Sequence, residues 1–269
     1  MGHIDPSARI SSDARLDSSV EIGAFCIVGP GVRLDANVKL EPSSIVVGET
    51  HLREGVHVFP FACLGGPPQD QRHDGGGSRL EIGEGFVIRE HVTIHGGSSS
   101  GGRLTRVGAS CFLMAGAHVG HDARIGDHVV LTNNSSIAGH VRVDPHVVVG
   151  GHAGIHQFVR IGRAAMIGAG SMVAQDVPPF SLVQGDRARL IGLNRVGLRR
   201  LGFDAARIAS IARAWRFLFW GEGSLRHRVR ELEASGGHCP EVEALIAFVL
   251  ESRRGVCRPR GRPGPAEVE

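Results

Sequence analysis

The chain has 269 residues, of which 42% are hydrophobic and 21% charged, with a formal net charge of +3. This composition excludes an intrinsically disordered polypeptide, and so mild a charge gives no basis for nucleic-acid binding. No apolar run approaches the roughly 20 residues of a membrane helix, so no transmembrane segment is expected.

The N-terminal stretch MGHIDPSARI lacks the basic start and apolar run of a signal peptide. Pro6 stands where an acylation motif needs Ser or Thr. The five cysteines are scattered, odd in number and without CxxC spacing, which predicts reduced thiols and a cytoplasmic protein. Lys39 is the only lysine, a poor basis for Schiff-base chemistry. The 39 glycines and 5% aromatic content point to a thin, regular architecture rather than a bulky globule.

From the N-terminus the pattern repeats every six residues. Ile4, Ile10, Leu16, Ile22, Val28, Leu34, Leu40, Val46, Leu52, Val58 and Leu64 are all aliphatic. The register returns at Ile82, Ile88 and Ile94, then runs from Val107 to Val173. One inward aliphatic residue per hexad predicts a left-handed parallel β-helix, mostly β, with three hexads and 18 residues per triangular coil. Corners need residues that tolerate unusual backbone angles, hence the many glycines. Two polar loops interrupt the coils, at 65–79 and 96–106; long loops on a solenoid point to a binding site.

The prism is expected over residues 1–190, with the repeat ending at QDVPPF (175–180), because Pro178 and Pro179 cannot continue a strand ladder. A short connector and a small C-terminal α-helical domain (191–255) follow. Asp204 caps a helix carrying Ile208, Ile211, Ala212, Trp215, Leu218 and Phe219, closed by Gly221. Ser224 begins a second helix, and a third runs from Pro240 to Gly255. Residues 256–269 are expected to form a disordered tail.

Coil length then gives AHVGHDARIG (117–126) chemical meaning. Residues 18 apart stack, so His121 lies under Gly139 and Gly139 under Gln157. The neighbouring column holds Asp122, His140 and Phe158. HVGHD, AGHV and IHQF thus form one polar patch about 10 Å tall. Three uses compete: a solvated polar edge, a metal site, and a general base oriented by its acid. No cysteine assists a metal, and His118 and His121 point differently. An imidazole beside Asp122, with an unobstructed Gly139 N–H one coil above, suits acid–base chemistry with an oxyanion donor.

The stretches IGAFCIVGP (22–30), the QD of the first loop, IREHVTIH (88–95), LMAGAHVGHD (113–122), AGHV, IHQF, VAQDVPPF (173–180) and GLNRVGLRRLGF (192–203) together resemble the UDP-N-acetylglucosamine O-acyltransferases. That family catalyses the first step of lipid A biosynthesis. The resemblance extends from residue 4 to about residue 255. It implies a homotrimer with active sites between subunits. It also implies an (R)-3-hydroxyacyl donor on acyl carrier protein, UDP-N-acetylglucosamine as acceptor, and no cofactor or metal.

By the same resemblance His121 is the general base, Asp122 orients it and the Gly139 N–H stabilises the oxyanion. Asp70 contacts the sugar, and Arg72 stands where the family often carries a lysine. His118, His140, His156 and Gln157 line the nucleotide-sugar site, while Asn194 and Arg200 hold the nucleotide end. Ala169 occupies the position that limits acyl length, and Arg187 replaces a histidine common nearby. Arg195, Arg199, Arg200, Arg207, Arg213 and Arg216 suit the acidic surface of acyl carrier protein.

Three rivals make different demands. An N-acyltransferase acting later in the pathway carries a separate N-terminal domain, for which a repeat starting at Ile4 leaves no room. A zinc-dependent trimeric β-helix enzyme of the carbonic anhydrase type needs bound metal. A non-catalytic β-helix scaffold is indifferent to loss of His121.

Overall fold

Inward aliphatic residues at every sixth position can be dry only if the chain winds around them, and the chain does so. A computed structural model describes residues 2–259. Its strands, mostly two residues long, lie in three sheets of 11, 9 and 8 strands that form the faces of a left-handed triangular prism. Coil-to-coil pairing is parallel with an 18-residue step, as in His118↔Ser136, Ser136↔Gly154 and Gly154↔Met172. The steps His57↔Val87 and Val87↔Phe112 are longer, at 30 and 25 residues. The loops therefore insert 12 and 7 residues, and the register resumes after each without slipping.

The hexad residues from Ile22 onward are almost wholly buried, in stacked columns. In the first described coil the hexad residue Ile4 remains 46% exposed. Corner residues adopt left-handed backbone angles in vertical files: Asp122, His140 and Phe158 (φ 59°, 60° and 64°) on one edge, Ser110, His128, His146 and Ala164 on another. Such angles disfavour L-residues, and the flanking ladders impose them.

Four helices follow: α1 (Arg195–Arg200), α2 (Ala205–Trp220), α3 (Leu225–Ser235) and α4 (Pro240–Glu251). Asp204 caps α2 through the Arg207 N–H, and Ser224 caps α3 through the His227 N–H, as their positions predict. The apolar faces of α2–α4 join the prism core, and Trp215 Nε1 donates to Ser181 Oγ at 2.8 Å.

Four expectations need correction. The ladder outlives Pro179, because Ser181–Gln184 still pairs with Met166–Ile167 and then turns antiparallel against Arg189–Leu193. The expected connector contains α1, capped by Asn194. The last helix stops at Glu251, short of Gly255. Residues 256–259 do not form the expected disordered tail: Val256 and Cys257 are buried, and Val256 and Pro259 bridge to Asp176 and Leu190. Their apolar side chains cover the end of the core, which the Arg- and Pro-rich composition around them concealed. Residues 260–269 lie outside the described residues.

Candidate active site

The prism edge carrying Asp122, His140 and Phe158 also receives both inserted loops. Asp122 leads its corner with its own N–H donating to Thr105 Oγ1 at 2.8 Å, so the left-handed turn is held by a residue of the strand that follows the second loop. Its carboxylate Oδ2 lies 2.8 Å from His121 Nδ1. His121 and Asp122 are 6% and 5% exposed. The same Oδ2 accepts the Ser98 N–H at 3.0 Å and the Ser98 hydroxyl at 2.6 Å. Gly101 packs against this carboxylate so closely that a Cβ there would stand 2.0 Å from Asp122 Cγ. The second loop therefore seals the back of the pair.

Directly above, a Cβ on Gly139 would lie 2.6 Å from His121 Cε1 and 2.7 Å from Nε2. Only glycine admits the imidazole in this position. Among the described residues the Gly139 N–H donates to no protein acceptor, while its carbonyl accepts the Phe158 N–H at 3.3 Å. His140 stands edge-on to His121, with ring centroids 5.1 Å apart, and stacks on Phe158 at 4.5 Å. Burial pulls the His140 pKa below the ordinary imidazole value, outweighing the nearby Asp122 charge. His118 donates to or accepts from Thr93 Oγ1 at 2.8 Å. Burial first, then His95 and His121, push its pKa down to about 4. Both rings therefore favour the neutral form at pH 7.

The first loop returns to this edge. Asp70 is gripped by Arg72 through the backbone N–H and two guanidinium contacts of 3.1 and 3.3 Å. The Arg72 bond holds the Asp70 carboxyl below its usual range, and the field of His121 adds to the effect. His156 and Gln157 lie one coil above Gly139 on the exposed surface, with the Arg254 guanidinium 3.4 Å from His156 Nδ1. A groove of about 840 Å³ opens beside the edge, bounded by His140, Phe158 and the segment 250–254. Its floor is a ladder of register-paired arginines, Arg124, Arg142 and Arg160.

Three expected residues lie elsewhere in the chain. Asn194 Oδ1 caps α1 through the Gly197 N–H, and its Nδ2 donates to the Ala164 carbonyl, each at 3.0 Å. This ties Asn194, and Arg200 on the same short helix, to the edge carrying His128, His146 and Ala164. His121 belongs to a different edge. Ala169 is exposed in the turn of a third edge, 48 residues beyond His121, which is about two and two-thirds coils and about 13 Å along the axis. Sequence reasoning missed Ser98, Gly101, Thr93 and Thr105. For Ser98 and Gly101 the only signal was polarity in loop 96–106, whereas Thr93 and Thr105 lie in paired strands beside the repeat's aliphatic positions.

His121, Asp122 and His140 offer ligand atoms within 4.8 Å of one another. Two donors on a tetrahedral zinc, with bonds near 2.0 Å, stand about 3.3 Å apart. The 2.8 Å between His121 Nδ1 and Asp122 Oδ2 is a hydrogen-bond distance, and Ser98 occupies the same oxygen. The geometry fits a hydrogen-bonded pair better than a metal.

Residues 176–257 match the family model described as UDP N-acetylglucosamine O-acyltransferase, domain 2, and residues 104–139 match the bacterial transferase hexapeptide repeat. A curated acyl-[acyl-carrier-protein]–UDP-N-acetylglucosamine O-acyltransferase from Azorhizobium caulinodans is 49% identical, with 95% of each chain covered. Its counterpart from Thermodesulfovibrio yellowstonii is 40% identical over 96% of this chain and 100% of the relative. The solved UDP-N-acetylglucosamine acyltransferase of Campylobacter jejuni superposes with a TM-score of 0.91 at 35% identity, covering 96% of this chain and all of that one. With the repeat, the capped helices and the histidine edge all in agreement, the chain belongs to the UDP-N-acetylglucosamine O-acyltransferase family.

Proposed function

We propose that this protein transfers an (R)-3-hydroxyacyl group from acyl carrier protein to the glucosamine 3-hydroxyl of UDP-N-acetylglucosamine, the first step of lipid A biosynthesis. The observation that carries the reading is the buried His121–Asp122 pair, with Nδ1 held at 2.8 Å and Nε2 turned toward Gly139. Asp122 fixes the tautomer with Nδ1–H, which leaves Nε2 as the base. Nε2 takes the sugar hydroxyl proton as the oxygen attacks the thioester carbonyl. The Gly139 N–H receives the tetrahedral oxyanion. Collapse expels the carrier thiolate, which recovers the proton from the imidazolium. A base of this kind contributes about 10²–10⁴-fold. A thioester is already activated, so the reading invokes no metal, cofactor or covalent intermediate.

Neutral His118 and His140 suit hydrogen bonding to an uncharged sugar. Asp70, held by Arg72, offers an acceptor to the acceptor hydroxyls. His156 and Gln157 extend the surface toward the nucleotide, and both substrates carry phosphate, which the arginine-floored groove favours. Small residues Ser136 and Gly154 face outward between the catalytic edge and Ala169, and support an acyl path ending at Ala169.

The homotrimer rests on two observations. Val87, Phe112, Val130, Val148 and Met166 form a half-buried apolar column on the outer side of one face, which a second copy can cover. Asn194 and Arg200 also stand on a different edge from His121, so they reach one nucleotide only across copies. Arg195, Arg199, Arg213 and Arg216 line a concavity of about 340 Å³ on α1 and α2, a surface suited to acidic acyl carrier protein. Five unpaired cysteines agree with a reducing, cytoplasmic compartment.

The test is transfer by chelator-treated protein, with 3-hydroxyacyl carrier proteins of several lengths and with UDP-N-acetylglucosamine or its 3-amino analogue. Transfer to the hydroxyl sugar without metal is the expected result. Transfer only to the amino sugar overturns the acceptor, and transfer restored only by zinc overturns the mechanism.

A further inference from the structure

We infer that Ser98 is a positioning residue that commits Asp122 to His121 rather than to His140. The inference rests on the acyltransferase reading for its kinetic consequences, but not for its geometry. Asp122 Oδ2 lies between two imidazoles, 2.8 Å from His121 Nδ1 and 3.8 Å from His140 Nε2. A carboxylate free to turn about its side-chain torsions could be shared by both rings. Sharing would leave His121 without a fixed tautomer.

Ser98 removes that freedom with two donors on one oxygen, its N–H at 3.0 Å and its hydroxyl at 2.6 Å. The hydroxyl proton is committed to Asp122, so the 3.0 Å contact with Ser100 Oγ makes Ser100 the donor to Ser98. The chain of bonds therefore runs from Ser100 through Ser98 and Asp122 to His121. Gly101 packs on the carboxylate and keeps water from its rear face. The other carboxylate oxygen, Oδ1, is buried without a partner, so nothing on that side competes for orientation. Ser98 is itself fully buried, so it does not touch a bound substrate directly. It lies in the seven residues inserted between coils, where the repeat has no structural need of a serine.

The experiment compares Ser98→Ala and Ser98→Thr in the full-length chain, alone and with Asp122→Asn. Removing one charge-assisted hydrogen bond is expected to lower kcat of Ser98→Ala about tenfold or more, with the KM of both substrates unchanged. Ser98→Thr keeps the hydroxyl and is expected to restore kcat. In the Asp122→Asn background Ser98→Ala is expected to cost nothing further, since both changes break one chain of bonds. Independently of turnover, the nitrogen shifts of the His121 ring are expected to report the Nδ1–H tautomer in the parent and a mixture of tautomers in Ser98→Ala.

A folded Ser98→Ala protein with unchanged kcat and a single His121 tautomer overturns the inference. Additive losses with Asp122→Asn also overturn it, because they give Ser98 a role outside the pair. If the parent protein transfers no acyl group to any acceptor, the acyltransferase reading falls, and the tautomer comparison alone decides the role of Ser98.

Discussion

Gly139→Ala is the most economical probe of the site, because one methyl group meets the His121 ring, the proposed base, and little else. The added Cβ would sit 2.6 Å from His121 Cε1, 2.7 Å from Nε2 and 3.1 Å from Nδ1. Comfortable carbon contacts begin near 3.5 Å, so the imidazole must retreat by about 1 Å. It has nowhere to go cheaply. Asp122 holds it on one side at 2.8 Å, and the His140 ring stands across it. A displacement of about 1 Å at a reacting group costs about 10²-fold in rate, so kcat is expected to fall by about that factor. The fold pays less, about 1–3 kcal/mol for overpacking at one corner of a long prism. The assay is steady-state transfer with saturating donor and acceptor, alongside thermal melting to show that the variant is folded. A folded variant with the kcat of the parent would refute the reasoning, because it would mean that the ring's position against Gly139 does not matter to the chemistry.

Ala169→Met is expected to shift the preferred donor to a shorter acyl chain without loss of turnover on that donor, measured by competition between donors; an unchanged length profile removes Ala169 from the acyl path. Stability is expected to fall as pH drops below the ordinary histidine value. The folded pKa of His118 is depressed to about 4, so the unfolded chain binds more protons between pH 6.5 and 4. The His118 contribution is complete above that window and lost within it, at most about 3 kcal/mol, and urea midpoints of the parent and His118→Asn measure it. Asn194→Ala is expected to cost about 1–2 kcal/mol through the α1 cap, and to raise the KM for the nucleotide sugar. Loss of stability with an unaltered KM would limit Asn194 to the cap.

The prism was legible because its physics is periodic. One aliphatic residue in six forces an 18-residue coil, and the coil length alone stacks His121 under Gly139 and Asp122 under His140. The capped helices were legible for the same reason, since Asp204 and Ser224 precede apolar residues at helical spacing. The loops follow no period. Their insertion lengths reset the register but do not reveal which loop residues come home, so Ser98 and Gly101 were invisible. Val256 and Cys257 were hidden in a different way: they complete the core through an isolated bridge to Asp176, some 80 residues away, against the local bias of an arginine-rich segment. Asn194 shows a further limit. Motif resemblance groups it with the nucleotide site, while the chain spends both of its polar atoms on its own backbone.

The most direct measurement is transfer by His121→Ala beside the parent protein, with the assembly state of both checked by ultracentrifugation. A loss of about 10²–10⁴-fold in kcat, with the assembly and the KM values preserved, is the expected result for a general base. Transfer by an intact His121→Ala protein at the rate of the parent would contradict the account, because the buried pair on which it is built would then be idle.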